Sequence, residues 1–168
     1  MKYKELPSLE RLQELLSYNP YTGYWDWISK NKFSHVTVGS IAGNLHKTTG
    51  YWVIKIDGRT YASHRLAWLY MTGKAPESII DHKDGDKGNN QWNNLREANY
   101  SQNSANSKSY RKLPKGVYRT ASATNPYAAA ITINYSRSHI GVFQTVEEAH
   151  KAYCLVAKSH HQEFARTA

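Results

Sequence analysis

Near the middle of the 168-residue chain runs the segment Asp81-His82-Lys83-Asp84-Gly85-Asp86. Residues 83–91 are so rich in Asp, Gly and Asn that they predict a loop. Residues 94–97 predict a short strand after this loop, and Ser101 marks the start of a helix. The order is therefore strand, loop, strand and helix, with His82 near the end of the first strand and Asn103 in the first helical turn.

This arrangement resembles the core of an HNH nuclease, and the resemblance rests on Asp81-His82, Asn94-Leu95-Arg96 and Asn103, at the spacing that the family uses. It implies a ββα-metal core that hydrolyses a phosphodiester bond of DNA. Asp81 and Asn103 would bind one divalent cation. His82 would be the base that activates water, and Asn94 would anchor the loop and orient His82.

The expected cation is Mg²⁺ or Mn²⁺, because a carboxylate and an amide offer hard oxygen ligands. No structural zinc is expected, since Cys154 is the only cysteine of the chain. Calcium storage is set aside because the segment that begins at Asp81 lacks the EF-hand spacing, with Trp92 at the twelfth position. Taken alone, an Asp-His pair in a polar loop is more often a turn with a solvated histidine.

A second resemblance precedes the motif. The run His64-Arg65-Leu66-Ala67-Trp68-Leu69 resembles the helix that lies before the nuclease motif in phage-type HNH proteins. His64 is therefore a candidate for a position near the site. The alternative is that His64 caps or packs its helix and never meets the metal.

The N-terminal part predicts helices and antiparallel strands. Residues 8–17 predict an amphipathic helix behind a serine cap, and residues 24–28 and 40–42 predict short strands. Residues 51–56 and 59–63 form a predicted hairpin, because Asp57-Gly58 suits a type I′ turn. Residues 64–71 predict a helix closed by Gly73. The fold class is α+β, with an accessory region at 1–62 and the nuclease core at 63–107.

The C-terminal part predicts a polar linker at 108–114 and a second module at 115–168. Thr145 and Glu148 form a capping box ahead of an apolar helical stripe, which needs a sheet to cover it. Residues 115–165 resemble an AP2 DNA-binding domain, in which three antiparallel strands pack on one helix. The markers are Gly116-Val117, the strand 127–134, Ile140-Gly141-Val142-Phe143 and the helix start at Thr145.

Alternation in strand 127–134 assigns Tyr127, Ala129, Ile131 and Ile133 to the helix side and leaves small or polar residues on the other face. We expect this small-residue face and its flanks to enter a major groove. The candidate DNA contacts are Lys115, Tyr118, Arg119, Thr132, Asn134, Arg137 and His139. Plant AP2 domains usually carry Glu and Arg where this chain has Ala130 and Thr132, and Trp where it has His139, so two charged residues that read DNA in those relatives are missing here.

The charge suits a polyanionic partner, since 22 basic residues against 13 acidic ones give a net charge of +9. No apolar run approaches the length of a membrane span, so a cytoplasmic protein is expected. Together the features predict a metal-dependent DNA endonuclease of the phage HNH homing type. It would nick one strand of double-stranded DNA as a monomer or weak dimer. The alternatives are a restriction or defence nuclease and a non-catalytic DNA-binding regulator.

Overall fold

The computed structural model describes residues 5–30, 35–108 and 112–166. The chain divides into two compact units, Met1–Glu97 and Ala98–Ala168. Helices alternate with small sheets in the described residues, an arrangement that is compatible with the predicted α+β class. None of the helices found there is long and apolar enough to span a bilayer.

The first unit begins with helix α1, Leu9–Leu15, which Ser8 caps by accepting a hydrogen bond from the backbone N–H of Arg11 at 3.2 Å. The predicted helix ran two residues further. Instead the chain becomes extended at strand β1, Leu16–Tyr18, which pairs with β2, Trp25–Trp27. Tertiary pairing overrides the helical spacing of the leucines there, because Leu16 and Tyr18 are buried within the sheet.

A three-stranded sheet follows, with β3 at Asn44–Leu45, β4 at Trp52–Ile56 and β5 at Arg59–Ala62. The hairpin prediction is confirmed: Asp57 and Gly58 have φ angles of 48° and 80°, as a type I′ turn requires. The strand predicted at 40–42 is only an isolated bridge between Asp26 and Ile41.

Helix α2, Ser63–Thr72, confirms the predicted helix and ends at Gly73, whose φ of 73° lies in the left-handed region. Its Leu66, Ala67 and Leu69 pack into the core of the first unit. The central aromatic residue of this core is Trp25, whose indole N–H donates to the hydroxyl of Ser63 at 3.0 Å. The core therefore fixes the start of α2, where His64 lies.

The motif region contains strand β6, Ile79–His82, which pairs with β7, Leu95–Ala98, after a short 3-10 turn at Trp92–Asn94. Helix α3, Tyr100–Asn106, comes next. It starts one residue before the predicted Ser101, because Asn99 and Gln102 form a reciprocal capping box with hydrogen bonds of 2.8 and 2.9 Å. The predicted order of strand, loop, strand and helix is present, but α3 belongs to the second unit.

The second unit contains a sheet of β8, Val117–Arg119, β9, Tyr127–Ile133, and β10, Ser136–Phe143, with β9 in the centre. Helix α4, Val146–His161, packs on one face of this sheet behind the predicted Thr145 and Glu148 capping box. Gly116 is required where the chain enters β8. Its φ is 80°, and a Cβ atom there would overlap the ring of Tyr153.

Lys115, one of the predicted DNA contacts, forms hydrogen bonds within the second unit. Its ammonium group donates to the carbonyls of Ser104 at 2.8 Å, Ser107 at 2.7 Å and Ala105, all at the end of α3. An ammonium has three N–H donors, so these bonds use its full capacity. Burial, with the charge of Arg166, lowers the pKa of Lys115 to about 8. Lys115 therefore caps α3, and its assignment to DNA stays a prediction.

The predicted linker at 108–114 falls partly outside the described residues, since 109–111 are not among them. Within the second unit, Ala98 at the end of β7 and Ala105 on α3 share a small apolar cluster with Phe164. The structure thus groups α3 with the C-terminal sheet, whereas the sequence placed it with the nuclease core. The domain limits 63–107 and 115–168 stay predictions.

Candidate functional site

Asp81 is held in a buried ion pair. Its side chain is 6% exposed and lies beside Arg96, whose side chain is 9% exposed. Both Nε and Nη2 of Arg96 lie 3.0 Å from the same oxygen, Oδ2, of Asp81. Strands β6 and β7 bring the two residues together, because they pair as neighbours in one sheet. Arg96 therefore fixes the orientation of a carboxylate that the motif assigns to metal binding.

His82 ends strand β6 and is 4% exposed. Its Nε2 lies 3.3 Å from Oδ1 of Asn90. Burial lowers the pKa of His82, and the hydrogen bond to Asn90 and the charges of Asp84, Asp81 and Asp86 offset only part of this effect. The ring is therefore neutral near pH 7, which is the state that a general base requires.

His64 lies beside His82, with 5.0 Å between their ring centroids in an edge-on arrangement. Tyr51 completes the cluster, at 5.1 Å from His64 and 6.0 Å from His82. Burial, with the charges of His82 and Arg65, lowers the pKa of His64 to about 3. Its buried Nδ1 has no hydrogen-bond partner among the described residues. His64 is thus an uncharged neighbour of His82, and its part in the site stays a prediction.

The loop after β6 is organised around Asp84. Its backbone N–H donates to Oδ1 of Asn94 at 3.1 Å, and its carboxylate accepts from Nδ2 of Asn94 at 3.0 Å and Nδ2 of Asn89 at 2.7 Å. Burial alone would raise the pKa of Asp84, but the hydrogen bonds from Asn94, the backbone of Asp86 and Asn89 lower it overall. Asp84 is therefore a charged anchor of the loop.

Asn94 was predicted both to anchor the loop and to orient His82. Its side chain does bridge the loop, since Nδ2 also donates to the carbonyl of Asn89 at 2.9 Å. The Nε2 atom of His82 is hydrogen-bonded to Oδ1 of Asn90. Asn94 therefore acts on the loop that surrounds His82, and its role in orienting the ring stays a prediction.

Asn103, the second predicted metal ligand, is half-buried on α3 in the second unit. Its partnership with Asp81 stays a prediction. Across residues 5–30, 35–108 and 112–166, no group of three or more His, Cys, Asp and Glu side chains could hold a metal ion. A site with one carboxylate and one amide oxygen would not form such a group.

The outer face of the C-terminal sheet, defined by Tyr118, Thr132, Arg137 and His139, carries four of the predicted DNA contacts. Directly paired residues point to the same face of an antiparallel sheet. Arg137 pairs with Thr132, and His139 with Ala130. The guanidinium of Arg137 lies 4.7 Å above the Tyr118 ring, and the Tyr118 hydroxyl lies 3.2 Å from Nδ1 of His139. The small central residues were expected to be exposed, but Ala130 is 8% exposed between these larger neighbours.

The other two predicted DNA contacts, Arg119 and Asn134, lie outside this face. Arg119 pairs with Tyr127, which packs against the helix side, and its guanidinium lies 5.5 Å from that ring. Arg119 is thus on the opposite face, and its grouping with the outer face was wrong. Asn134 is exposed in the turn between β9 and β10, with a positive φ of 47°, and its N–H donates to the hydroxyl of Ser101 at 3.4 Å.

Three residues at the first-unit site were given no role from sequence: Asp84, Asn90 and Arg96. The sequence did contain a signal, because the density of Asp and Asn in 83–91 predicted a hydrogen-bonded loop. The sequence did not show which of these side chains would contact each other. Arg96 stood within the quoted Asn94-Leu95-Arg96 run, but only the strand pairing places it against Asp81.

Comparison with known protein families finds a match for one region of the chain. Residues 61–105 match the model of the HNH endonuclease family, a stretch that runs from β5 through α3. This part of the chain is similar to an HNH endonuclease domain, and the match supports a nuclease that acts on DNA with a divalent metal. Searches of curated proteins and of solved structures found no match to the chain. The AP2-like character of residues 115–165 stays a prediction.

Proposed function

We propose that the HNH endonuclease domain at residues 61–105 makes this chain a metal-dependent DNA endonuclease of the phage homing type, which nicks one strand of double-stranded DNA. The observation that carries the proposal is the end of β6, where a buried neutral histidine, His82, follows a buried carboxylate, Asp81. A base next to a metal-binding acid is what phosphodiester hydrolysis needs.

In the proposed reaction, His82 accepts a proton from a water molecule as the water oxygen attacks phosphorus. The bond from phosphorus to the leaving sugar oxygen then breaks. Burial of His82 and its hydrogen bond with Asn90 hold the ring in one orientation before the substrate arrives. A bound divalent cation would neutralise charge on the phosphate and the leaving oxygen.

The donor atoms assigned to the cation suit a hard metal. Asp81 supplies carboxylate oxygens and Asn103 an amide oxygen, which are ligands that Mg²⁺ and Mn²⁺ accept. Arg96 occupies only part of the capacity of Asp81, since a carboxylate has about four lone-pair sites. With so few protein ligands, positions remain for water and phosphate oxygens.

The experiment that tests the function is a plasmid assay. We expect the full-length protein to convert supercoiled plasmid to the nicked circle in Mg²⁺ or Mn²⁺, and to leave it intact in excess EDTA. Linear product that appears without a nicked intermediate would contradict nicking by a monomer. Binding of the plasmid without any cleavage in either metal would instead favour the non-catalytic regulator.

The AP2-like module is proposed to hold the nuclease on chosen DNA through the outer face of the C-terminal sheet. That face combines a cation with aromatic and hydroxyl groups, and its Arg137 is already stacked on Tyr118. A stacked guanidinium keeps its N–H groups available for phosphates or base edges. The chain carries a net charge of +9, which supports attraction to DNA from a distance.

Arg137→Ala is expected to weaken binding to double-stranded DNA. If Arg137 contacts one phosphate, the slope of log affinity against log salt concentration should fall in magnitude by about 1. Fluorescence anisotropy at several salt concentrations measures this slope. The matched control is Arg119→Ala, an arginine of the same sheet on the opposite face, which should leave the slope unchanged. Equal effects of the two substitutions would show that the outer face is not the DNA-binding surface.

A further inference from the structure

Helix α3 carries Asn103, the residue to which the proposed function assigns an amide ligand of the cation. Where this amide lies depends first on the backbone of α3. The helix has only seven residues, Tyr100–Asn106. Helices of this length are marginally stable unless other segments of the chain support them. The contacts that hold α3 therefore decide where Asn103 is placed.

The end of α3 is bound by a single ammonium group, that of Lys115. The last carbonyls of a helix extend beyond its own hydrogen-bond ladder, and they form the negative end of the helix dipole. The Lys115 ammonium donates to three carbonyls at this end, those of Ser104, Ala105 and Ser107. A shift of the helix would therefore disturb several charge-assisted hydrogen bonds at once.

The backbone of Lys115 is held by the C-terminal sheet and by α4. Lys115 directly precedes Gly116, whose carbonyl accepts a hydrogen bond from the N–H of Ala130 on β9 at 2.9 Å. The carbonyl oxygen of Lys115 lies 3.3 Å from Nδ1 of His150 on α4. The ammonium group that binds α3 is therefore attached to a backbone that two other elements of the second unit restrain.

The segment that follows α4 binds the same helix. Phe164 shares a buried apolar cluster with Ala105 of α3 and with Ala98. The backbone N–H of Arg166 donates to the carbonyl of Ala105 at 3.3 Å. Residues from the beginning and from the end of the C-terminal region therefore meet at α3, and Lys115 provides the only one of these contacts that carries three hydrogen bonds.

We propose that Lys115 is a positioning residue for the metal site, because it links the C-terminal sheet to the helix that carries Asn103. The inference rests on the proposed function, in which Asn103 binds the divalent cation. Lys115 touches neither the cation nor the substrate in this role. The sheet that is proposed to hold DNA thereby also holds a ligand of the cation, and the affinity for the metal depends on the C-terminal region.

The test measures Mn²⁺ binding by the full chain without DNA, from the loss of the electron paramagnetic resonance signal of free Mn²⁺. Loss of a group that holds a metal ligand in place typically costs about 10–100-fold in metal affinity. We expect Lys115→Met to weaken Mn²⁺ binding by about 10-fold. The matched control is Lys151→Met, an exposed lysine on α4 of the same unit, which should bind Mn²⁺ like wild type.

Backbone amide spectra show whether each variant is folded. If Lys115→Met does not fold, Lys115→Gln takes its place, since glutamine keeps N–H donors on a shorter, uncharged side chain. Folded Lys115→Gln should also bind Mn²⁺ more weakly than Lys151→Met. Equal Mn²⁺ affinities of these two variants would overturn the inference.

A double variant tests whether Lys115 acts through Asn103. Asn103→Ala alone should weaken Mn²⁺ binding at least as much as Lys115→Met does. Residues that act through one group are not additive, so the double variant should bind Mn²⁺ no more weakly than Asn103→Ala. Additive losses in the double variant would show that Lys115 does not act through Asn103.

Plasmid cleavage provides a second readout. Lys115→Met should need about 10-fold more Mg²⁺ for half-maximal nicking, and the wild-type rate should return at saturating Mg²⁺. Its affinity for DNA in EDTA should equal that of wild type. A folded variant that loses DNA affinity in EDTA but binds Mn²⁺ normally would overturn the inference and support the predicted contact of Lys115 with DNA.

The outcomes separate this inference from the proposed function. If the wild-type protein cuts DNA but folded Lys115→Met binds Mn²⁺ as tightly as wild type, Lys115 is not a positioning residue and the nuclease assignment stands. If Asn103→Ala binds Mn²⁺ and cuts like wild type, the inference fails together with the ligand role of Asn103. If the wild-type protein never cuts DNA in Mg²⁺ or Mn²⁺, the nuclease assignment fails, and the Mn²⁺ titrations still decide the role of Lys115.

Discussion

Replacement of His82 by alanine is expected to reduce plasmid cleavage by about 10²–10⁴-fold, which is the usual contribution of a general base. The variant loses the only group assigned to take the proton from water. It should still bind DNA, because the outer face of the C-terminal sheet belongs to the other unit. Single-turnover cleavage in Mg²⁺, with binding measured in parallel by anisotropy, separates the two effects.

His160→Ala is the matched control for this substitution. His160 is an exposed histidine on α4, in the second unit. The His160→Ala protein should cut DNA at the wild-type rate. A His82→Ala protein that also cuts at the wild-type rate would show that the base has been assigned wrongly, whereas a variant that neither cuts nor binds would have lost its fold.

The pH dependence of cleavage is a second measure of the same residue. An unperturbed histidine would give activity that rises through roughly pH 6 to 7. The pKa of His82 is lowered by burial. The neutral, basic form of the ring exists above its pKa, so a lowered pKa extends activity to lower pH. We therefore expect the acidic limb of the rate profile to lie below pH 6.5, and a limb above that value would contradict the burial of the ring.

The second large effect is expected for Arg96→Met, which should lower the free energy of unfolding by about 3–5 kcal/mol. The substitution leaves the carboxylate of Asp81 buried without the guanidinium that binds it. Taking one partner out of a buried ion pair costs more than the pair contributes, because the other charge is left in a medium of low polarity. Urea unfolding followed by tryptophan fluorescence reports on the first unit, since both Trp25 and Trp27 lie in its core.

Arg59→Met provides the matched control. Arg59 is exposed on β5 in the same unit and should change stability by less than about 0.5 kcal/mol when replaced. In the double variant Arg96→Met with Asp81→Leu, both charges are removed, so stability should partly recover. A folded Arg96→Met protein as stable as the Arg59→Met control would show that Arg96 does not hold Asp81 in solution.

The local elements could be predicted because their signals lie within a few residues of each other. Ser8 caps α1, Asp57-Gly58 forms the hairpin turn, Gly73 ends α2, and Thr145 with Glu148 starts α4. Capping, turn formation and helical spacing act over three or four residues. The motif around Asp81 and His82 was visible for the same reason, and the family comparison covers it.

The structure departs from the local pattern where residues distant in sequence come together. The helix predicted to reach residue 17 becomes β1 because β2 pairs with it. Lys115 binds carbonyls at the end of α3 because the fold brings that helix end to it. Arg119 lies on the helix side of its sheet, opposite Tyr118, because neighbouring strand residues point to opposite faces and its register partner is Tyr127.

The residue order alone predicts the α+β class, the nuclease motif with Asp81 and His82, and the basic character that suits DNA. These features depend on composition and on interactions between residues that are close in sequence. The environment of the two motif residues came only from the folded chain. Arg96 reaches Asp81 across a strand pair, and Asn90 turns toward His82 because Tyr18, 72 residues away, holds its backbone. Burial and hydrogen bonding, which set the charge of a base, are properties of packing and exist only once these distant segments meet.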